Sequence, residues 1–263
     1  MVPHANPTTL LNWVAALPLD VAFVLLVLPV MIIAALGTVL IRGLLGTQIS
    51  PGSPVGATKA GAAAEIYAVV LGFIIVLGFT QFHDAKKDVL YETKLLERLA
   101  NGSETDQRLD LSAQIETYAR TVADKEWIMM AVGDKSAEAE AQMQALEDRV
   151  RSAAGSEDSL AGYRLLNLMD EIVELRTSRL SASPDPVVAT IVFQVLLVGA
   201  GLAVVTGWFI RGPSVALHMF LSAVVAGSVV SLMILSAQVL YPFAGTVAIS
   251  PEPFWALTDV SAR

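Results

Sequence analysis

The sequence predicts an all-α integral membrane protein with four transmembrane helices and a soluble helical-hairpin domain between the second and third. Three observations predict it. Four apolar blocks are each long enough to cross a bilayer, which takes roughly 20 apolar residues in a helix. The charges are segregated: residues 83–182 hold 20 of the 25 acids and 13 of the 17 bases in the 263-residue chain. The charged middle carries apolar residues three and four apart, and no alternating β pattern of useful length appears. A charge at the centre of a membrane helix costs on the order of 3 kcal/mol, so a lipid solvent accounts for the segregation.

The elements follow in order. Within residues 1–18, "TTLLNWVAAL" sets Leu10, Leu11, Trp13, Val14 and Leu17 at near-helical spacing, which predicts an interfacial segment with Trp13 at headgroup depth. The first span runs from about 21 to 41, with a kink expected at Pro29. It lacks the basic n-region and cleavage site of a signal peptide. Residues 42–61, rich in Gly, Ser and Pro, read as a loop. The second span, about 62–82, continues without a breaker to Leu99 as one helix of about 38 residues. Asn101-Gly102 is the expected stop, and Ser103 with Asp106 resembles a new start.

The soluble domain, 83–184, then reads as helical hairpins. Leu111, Ile115, Tyr118 and Val122 form one apolar stripe, ended by Gly133. Ser136 opens the next, with Ala139, Met143, Leu146 and Val150. After Gly155, Leu165, Leu168, Ile172 and Leu175 form a third, closed by Pro184 and Pro186. The third and fourth spans are about 187–210 and 216–240. In the tail, 244–263, "SPEPF" has Ser250 to cap a short helix, Pro251 for its first position and Glu252 for its positive end.

Composition bounds the function. There is no cysteine, so neither a disulfide framework nor a thiolate metal site can form. The middle region nets −7 as mixed signs, which argues against nucleic acid as a partner. No nucleophile elbow, phosphate loop or HExxH motif is present, and His4, His83 and His218 lie far apart, so no enzyme, cofactor or metal centre is expected. His83 and Asp84 are adjacent and point about 100° apart on a helix, a poor chelate. The partners left are the bilayer, further copies of the chain and, for a channel, inorganic ions. Lys and Arg near the spans are more numerous on the middle-domain side, which places that domain and both termini in the cytoplasm.

Glu65 is the residue that raises the functional question. An acid inside a span is either part of a carboxylate ring at a cation pore or an interfacial anchor near the positive helix end. Val69 and Phe73 follow at intervals of four and share its face. Ala223, Gly227 and Ser231 form a row of small residues for helix packing, and Gly199 and Gly207 thin the third span. Gln194 and Gln238 are neutral amides inside spans, expected to hydrogen-bond across helices. Arg120 and Glu126 within "YARTVADKEW" can pair with neighbours, with Arg176 and Arg179 as candidate partners in a structural ion-pair network.

Three segments resemble a known family: "LGFIIVLGFTQFHDA" (71–85), "YARTVADKEW" (118–127) and "YPFAGTVAISPEPF" (241–254). They look like the bacterial membrane proteins that carry a bestrophin-like domain, over about Gly56 to Val260. That family has no settled activity, and the resemblance implies the bacterial inner membrane. Bestrophins proper are pentameric anion channels whose second span lines the pore and forms its neck. The "VLGF" of residues 70–73 is similar to that neck, which implies a pore-facing role for Glu65, Val69 and Phe73. The sequence departs from the bestrophin pattern in carrying an acid where an apolar neck residue stands, and in lacking an acidic calcium-clasp run after the fourth span. The expectation is a homo-oligomeric ion channel. The alternative is a non-conducting, membrane-anchored scaffold or sensor that binds a partner through its helical domain.

Overall fold

The computed structural model describes residue 14 and residues 17–45, 54–105, 111–155, 160–182, 186–210 and 214–258. Every regular element among these residues is helical. In chain order they are α1 (Leu19–Ala22), a π-helical turn (Phe23–Val27), α2 (Leu28–Leu45), α3 (Pro54–Thr105), α4 (Ser112–Thr121), a second π-helical turn (Val122–Glu126), α5 (Trp127–Met130), α6 (Ala137–Gly155), α7 (Leu160–Ser181), α8 (Pro186–Trp208), α9 (Val215–Leu240) and α10 (Glu252–Thr258). Four of the helical stretches are long and apolar enough to cross a membrane: Leu19–Leu44, Gly61–Asn101, Val188–Trp208 and Val215–Leu240. The expected interfacial helix around Trp13 lies outside the described residues.

Two expectations are corrected. The loop expected at 42–61 is helical at both ends, because α2 runs to Leu45 and α3 starts at Pro54. Proline suits a first helical turn, where its missing N–H would be unbonded anyway, and the alanines after it favour propagation. The helix stop expected at Asn101-Gly102 does not occur; α3 continues to Thr105. At 52 residues and ~1.5 Å rise each, α3 is about 78 Å long. Ser103 is therefore the end of a helix and not the start of one; the next begins at Ser112.

The chain divides into two compact units. The first comprises residues 1–79 and 186–240. In it α9 packs along α2, and α8 packs on both. The π turn lies immediately before Leu28-Pro29. A proline cannot donate to the carbonyl four residues back, and a widened turn is one way a helix absorbs that loss. Glycines set the close contacts. A Cβ on Gly227 would come within 2.9 Å of Met31, one on Gly199 within 2.8 Å of the Tyr67 ring, and one on Gly37 within 2.3 Å of the Trp208 ring. The Trp208 Nε1–H donates to the Ala34 carbonyl at 3.0 Å, fixing that ring over Gly37.

The second unit comprises residues 80–185 and 241–263. The end of α3, α4 to α7 and α10 contribute to one core. Its members include Val89, Leu96, Leu99, Ile115, Tyr118, Met143, Leu146, Met169, Ile172 and Phe254. The stripes read from the sequence therefore face inward. Gly133 takes φ 78° at the end of α5, a backbone conformation that favours glycine. The Ser136 Oγ accepts from the Ala139 N–H at 3.3 Å, opening α6 as expected.

Candidate functional site

The residues of the second span sort into two faces. Tyr67, Leu71 and Gly78 turn inward: Tyr67 lies against Gly199, Leu71 is buried, and a Cβ on Gly78 would meet Val239 at 3.2 Å. The other face carries Glu65, Val69, Phe73 and Val76, all exposed within the single chain. Val69 is 58% exposed, Phe73 67% and Val76 62%. The spacing of four thus places these side chains on one surface of α3. Glu65 stands one turn inside the apolar stretch that begins at Gly61.

The remaining packing candidates divide. Gly227 seats α9 against α2, and the Ser231 Oγ–H is spent on the Gly227 carbonyl at 2.7 Å; Ala223 is half-buried beside them. The Gln238 amide donates to the Leu17 carbonyl at 3.0 Å. Gln194 is different: it lies exposed on α8 and bonds no described residue. His83 and Asp84 are exposed, and no group of three potential metal ligands occurs among the described residues.

The densest polar arrangement is a buried ion cluster in the second unit. Arg179, on α7, is 0% exposed. Its Nε donates to Glu92 Oε2 at 2.6 Å and its Nη2 to Glu92 Oε1 at 3.2 Å, a two-pronged pairing with an acid of α3. The same Nη2 donates to Glu126 Oε2 at 3.1 Å. The other oxygen of Glu126 accepts from Arg176 Nη2 at 2.7 Å, and Arg176 also pairs with Glu140 of α6. The Tyr118 hydroxyl donates to Glu92 Oε1 at 2.7 Å. Aromatic rings wall the cluster: the Arg179 guanidinium carbon lies 5.2 Å from the Phe254 ring centre and 5.8 Å from that of Trp127. The Trp127 Nε1–H is satisfied by the Ile249 carbonyl at 2.9 Å, which ties the segment after α9 to this core.

Burial disfavours charge on Arg179, but Glu92, Tyr118 and Glu126 together outweigh it and hold the guanidinium charged. Burial, and then Glu92, push the Tyr118 hydroxyl well above its usual range, so it is a fixed donor. The hydrogen bond from Arg176 holds Glu140 below the ordinary carboxylate range. Every charge is matched by partners from other helices, so the cluster pins α3, the second π turn, α6 and α7 together.

The pairing of Glu126 with Arg176 and Arg179 follows the sequence expectation. Arg120 instead bonds Glu116 of its own helix at 3.0 Å on the surface. Sequence reading missed Glu92, and took Tyr118 for a purely apolar position. The signal for Glu92 was available. Ala85, Val89, Glu92, Leu96 and Leu99 form one stripe at spacings of four, three, four and three, and all are buried. An acid on such a stripe requires a buried cation. In the tail, the Ser250 Oγ accepts from the Glu252 N–H at 3.2 Å, and Phe254 is buried at the core.

Comparison with known proteins gives a consistent answer. A family model for the bestrophin-like domain matches residues 24–254. Among solved structures, three variants of a bacterial bestrophin homologue from Klebsiella pneumoniae are similar to this chain. The first matches with TM-score 0.60 at 15% identity, covering 89% of this chain and 95% of that one. The second has TM-score 0.62 at 16% identity, over 89% and 93%. The third has TM-score 0.61 at 15% identity, over 93% and 99%. At such identities the likeness establishes the fold. No match is found among curated proteins.

Proposed function

This chain belongs to the bestrophin-like domain family, and on that premise we propose that several copies assemble around a common axis in the bilayer to form an ion-conducting pore lined by α3. The observation that carries the reading is the exposed face of Glu65, Val69 and Phe73 on a span whose opposite face is packed. In a ring of copies, Glu65 supplies a circle of carboxylates at one mouth, where cations concentrate. Val69 and Phe73, one and two turns deeper, supply an apolar constriction of the kind that gates by dewetting. The buried ion cluster holds the soluble end of α3 within its bundle and touches no conducted ion. The assembly sits in the bacterial inner membrane, with the bundle and both termini in the cytoplasm.

The competing reading is a non-conducting scaffold. It is favoured by apolar side chains left bare on the soluble bundle, Ile128, Leu160 and Tyr163 among them. A detergent-solubilised mass of one or two copies supports it; a larger ring supports the pore. The test of conduction is planar-bilayer recording of the reconstituted protein beside Glu65→Gln and Phe73→Ala. Expected are currents in the wild type, a lower cation-to-anion permeability ratio in Glu65→Gln and a leakier pore in Phe73→Ala. Silence in all three, with a folded oligomer verified, refutes conduction.

A further inference from the structure

The exposed face of α3 does not end with the apolar stretch. From Val76 it continues at Thr80, His83, Lys87, Tyr91, Lys94 and Arg98, at intervals of four, three, four, four, three and four. Those intervals keep to one face of a helix of period 3.6, and all six residues are exposed. The soluble part of this face is basic. Lys87, Lys94 and Arg98 rise through about 16 Å of helix, with no acid on the same face.

The acids of this stretch are placed elsewhere. Glu92 is buried with Arg179, and Asp88 accepts from the Ser178 hydroxyl at 2.6 Å. Asp84 and Glu97 stand three residues from Lys87 and Lys94, a spacing at which helical ion pairs form. Even so, Lys87, Lys94 and Arg98 have no ion pair among the described residues. Both lysines lean on Tyr91, the Lys87 Nζ 6.0 Å and the Lys94 Nζ 5.7 Å from its ring centre. Two ammonium groups drawn to one exposed ring without a counter-ion repel each other, and an anion beside them relieves that repulsion. The basic charge is local, since residues 83–182 net −7.

We propose that this stripe is an anion-binding surface whose ligand is a small polyvalent oxyanion of the phosphate class. The proposal rests on the pore reading and deepens it. In a ring of copies, Lys87, Lys94 and Arg98 form three cationic belts, opposite in sign to Glu65 near the other end of the helix. Cations gather at one end of the path and anions at the other, and a polyvalent anion seated at the belts obstructs it. The phosphate group is that of a free solute and not of a lipid. Arg98 stands sixteen residues past Phe82, the end of the apolar run. That is about 24 Å along the helix, beyond a headgroup layer roughly 5–8 Å deep.

The test is calorimetric titration of sodium tripolyphosphate into the full chain held in phosphatidylcholine nanodiscs. Binding is expected for the wild type, about threefold weaker for each cation removed and about thirtyfold weaker in Lys87→Gln, Lys94→Gln and Arg98→Gln combined. A charge-matched variant, Lys135→Gln, Arg149→Gln and Arg164→Gln, removes three exposed cations from elsewhere on the bundle and is expected to bind as the wild type does. If the first triple variant does not fold, Lys94→Gln alone serves in its place. No binding by the wild type, or equal weakening in both triple variants, overturns the assignment. Exchanging part of the lipid for phosphatidylglycerol is expected to leave the affinity unchanged at physiological salt; competition by that lipid overturns the free solute. Planar-bilayer recording separates the two readings. Binding with silent bilayers removes the pore and leaves the anion stripe, while currents without binding remove the stripe and leave the pore. Where both hold, tripolyphosphate added on the side of the soluble domain lowers the current.

Discussion

Replacing Arg179 by Met tests the buried cluster most severely. The substitution keeps an unbranched apolar stem as far as the position of Nε and removes the charged guanidinium. Glu92 then loses both bonds from the guanidinium, at 2.6 and 3.2 Å, and keeps only the Tyr118 hydroxyl; Glu126 keeps only Arg176. Glu92 and Arg179 are both 0% exposed, so water cannot take over. Breaking a buried pair from one side costs about 3–5 kcal/mol, because the remaining charge is stranded. For a domain of this size that corresponds to a fall in the unfolding midpoint on the order of 10–20 °C. The assay is thermal unfolding in detergent followed by tryptophan fluorescence, to which Trp127 contributes from beside the cluster. Removing the whole group in Arg179→Met, Glu92→Leu and Tyr118→Phe combined strands neither the Glu92 charge nor the tyrosine hydroxyl, and is expected to cost less than Arg179→Met alone. The exposed pair of Arg120 with Glu116 sets the baseline, since its loss is worth less than about 1 kcal/mol. If Arg179→Met shifts the midpoint no more than Arg120→Met, the cluster does not hold the bundle.

Other expectations follow from the same geometry. Glu140 has its folded-state pKa held below the ordinary 4.5 by Arg176, so its stabilising effect is fully present above pH 4.5 and is lost as pH falls through the lowered value. The gap in unfolding midpoint between wild type and Glu140→Gln is expected to be constant above pH 4.5 and to close under acid; a gap that widens under acid contradicts the pairing. Phe254→Ala removes a fully buried ring beside Arg179, Tyr118 and Trp127 and is expected to cost about 3–5 kcal/mol in the same melt. Gly37→Ala drives a methyl to within 2.3 Å of the Trp208 ring and is expected to cost about 1–3 kcal/mol. Gly43→Ala has open space and is expected to be neutral or slightly stabilising, by up to about 1 kcal/mol.

What the sequence could disclose depended on whether a single residue or a set of contacts decided the outcome. The spans were readable because apolar length answers directly to bilayer thickness. The inward stripes of α4, α6 and α7 were readable because a periodicity of 3.6 is local. Gly133 and Ser136 marked boundaries by their own backbone chemistry. Asn101-Gly102 misled for the opposite reason: it is a weak local stop on a helix held by tertiary packing at Leu96 and Leu99, and packing overrides propensity. Pro54 was taken for a loop residue because proline breaks a helix interior but suits a helix start, and only the following turns show which applies. Of the two π turns only the first had a local mark, Pro29; an extra residue in a turn leaves no compositional mark of its own. The second of them carries Val122, Ala123 and Glu126 into the core with Trp127 directly after. For the face proposed to line a pore, spacing gave the shared side of Glu65, Val69 and Phe73, and the fold supplied their exposure within the single chain.

Cysteine accessibility along α3 is the most direct test of the pore. Single cysteines at 65, 67, 69, 71, 73, 76 and 78 in the reconstituted, otherwise cysteine-free protein are treated with a small charged thiol reagent. If α3 lines a water-filled path, positions 65, 69, 73 and 76 react and 67, 71 and 78 do not. A helix facing only lipid leaves every position beyond 65 unreactive, and that result contradicts a conducting role.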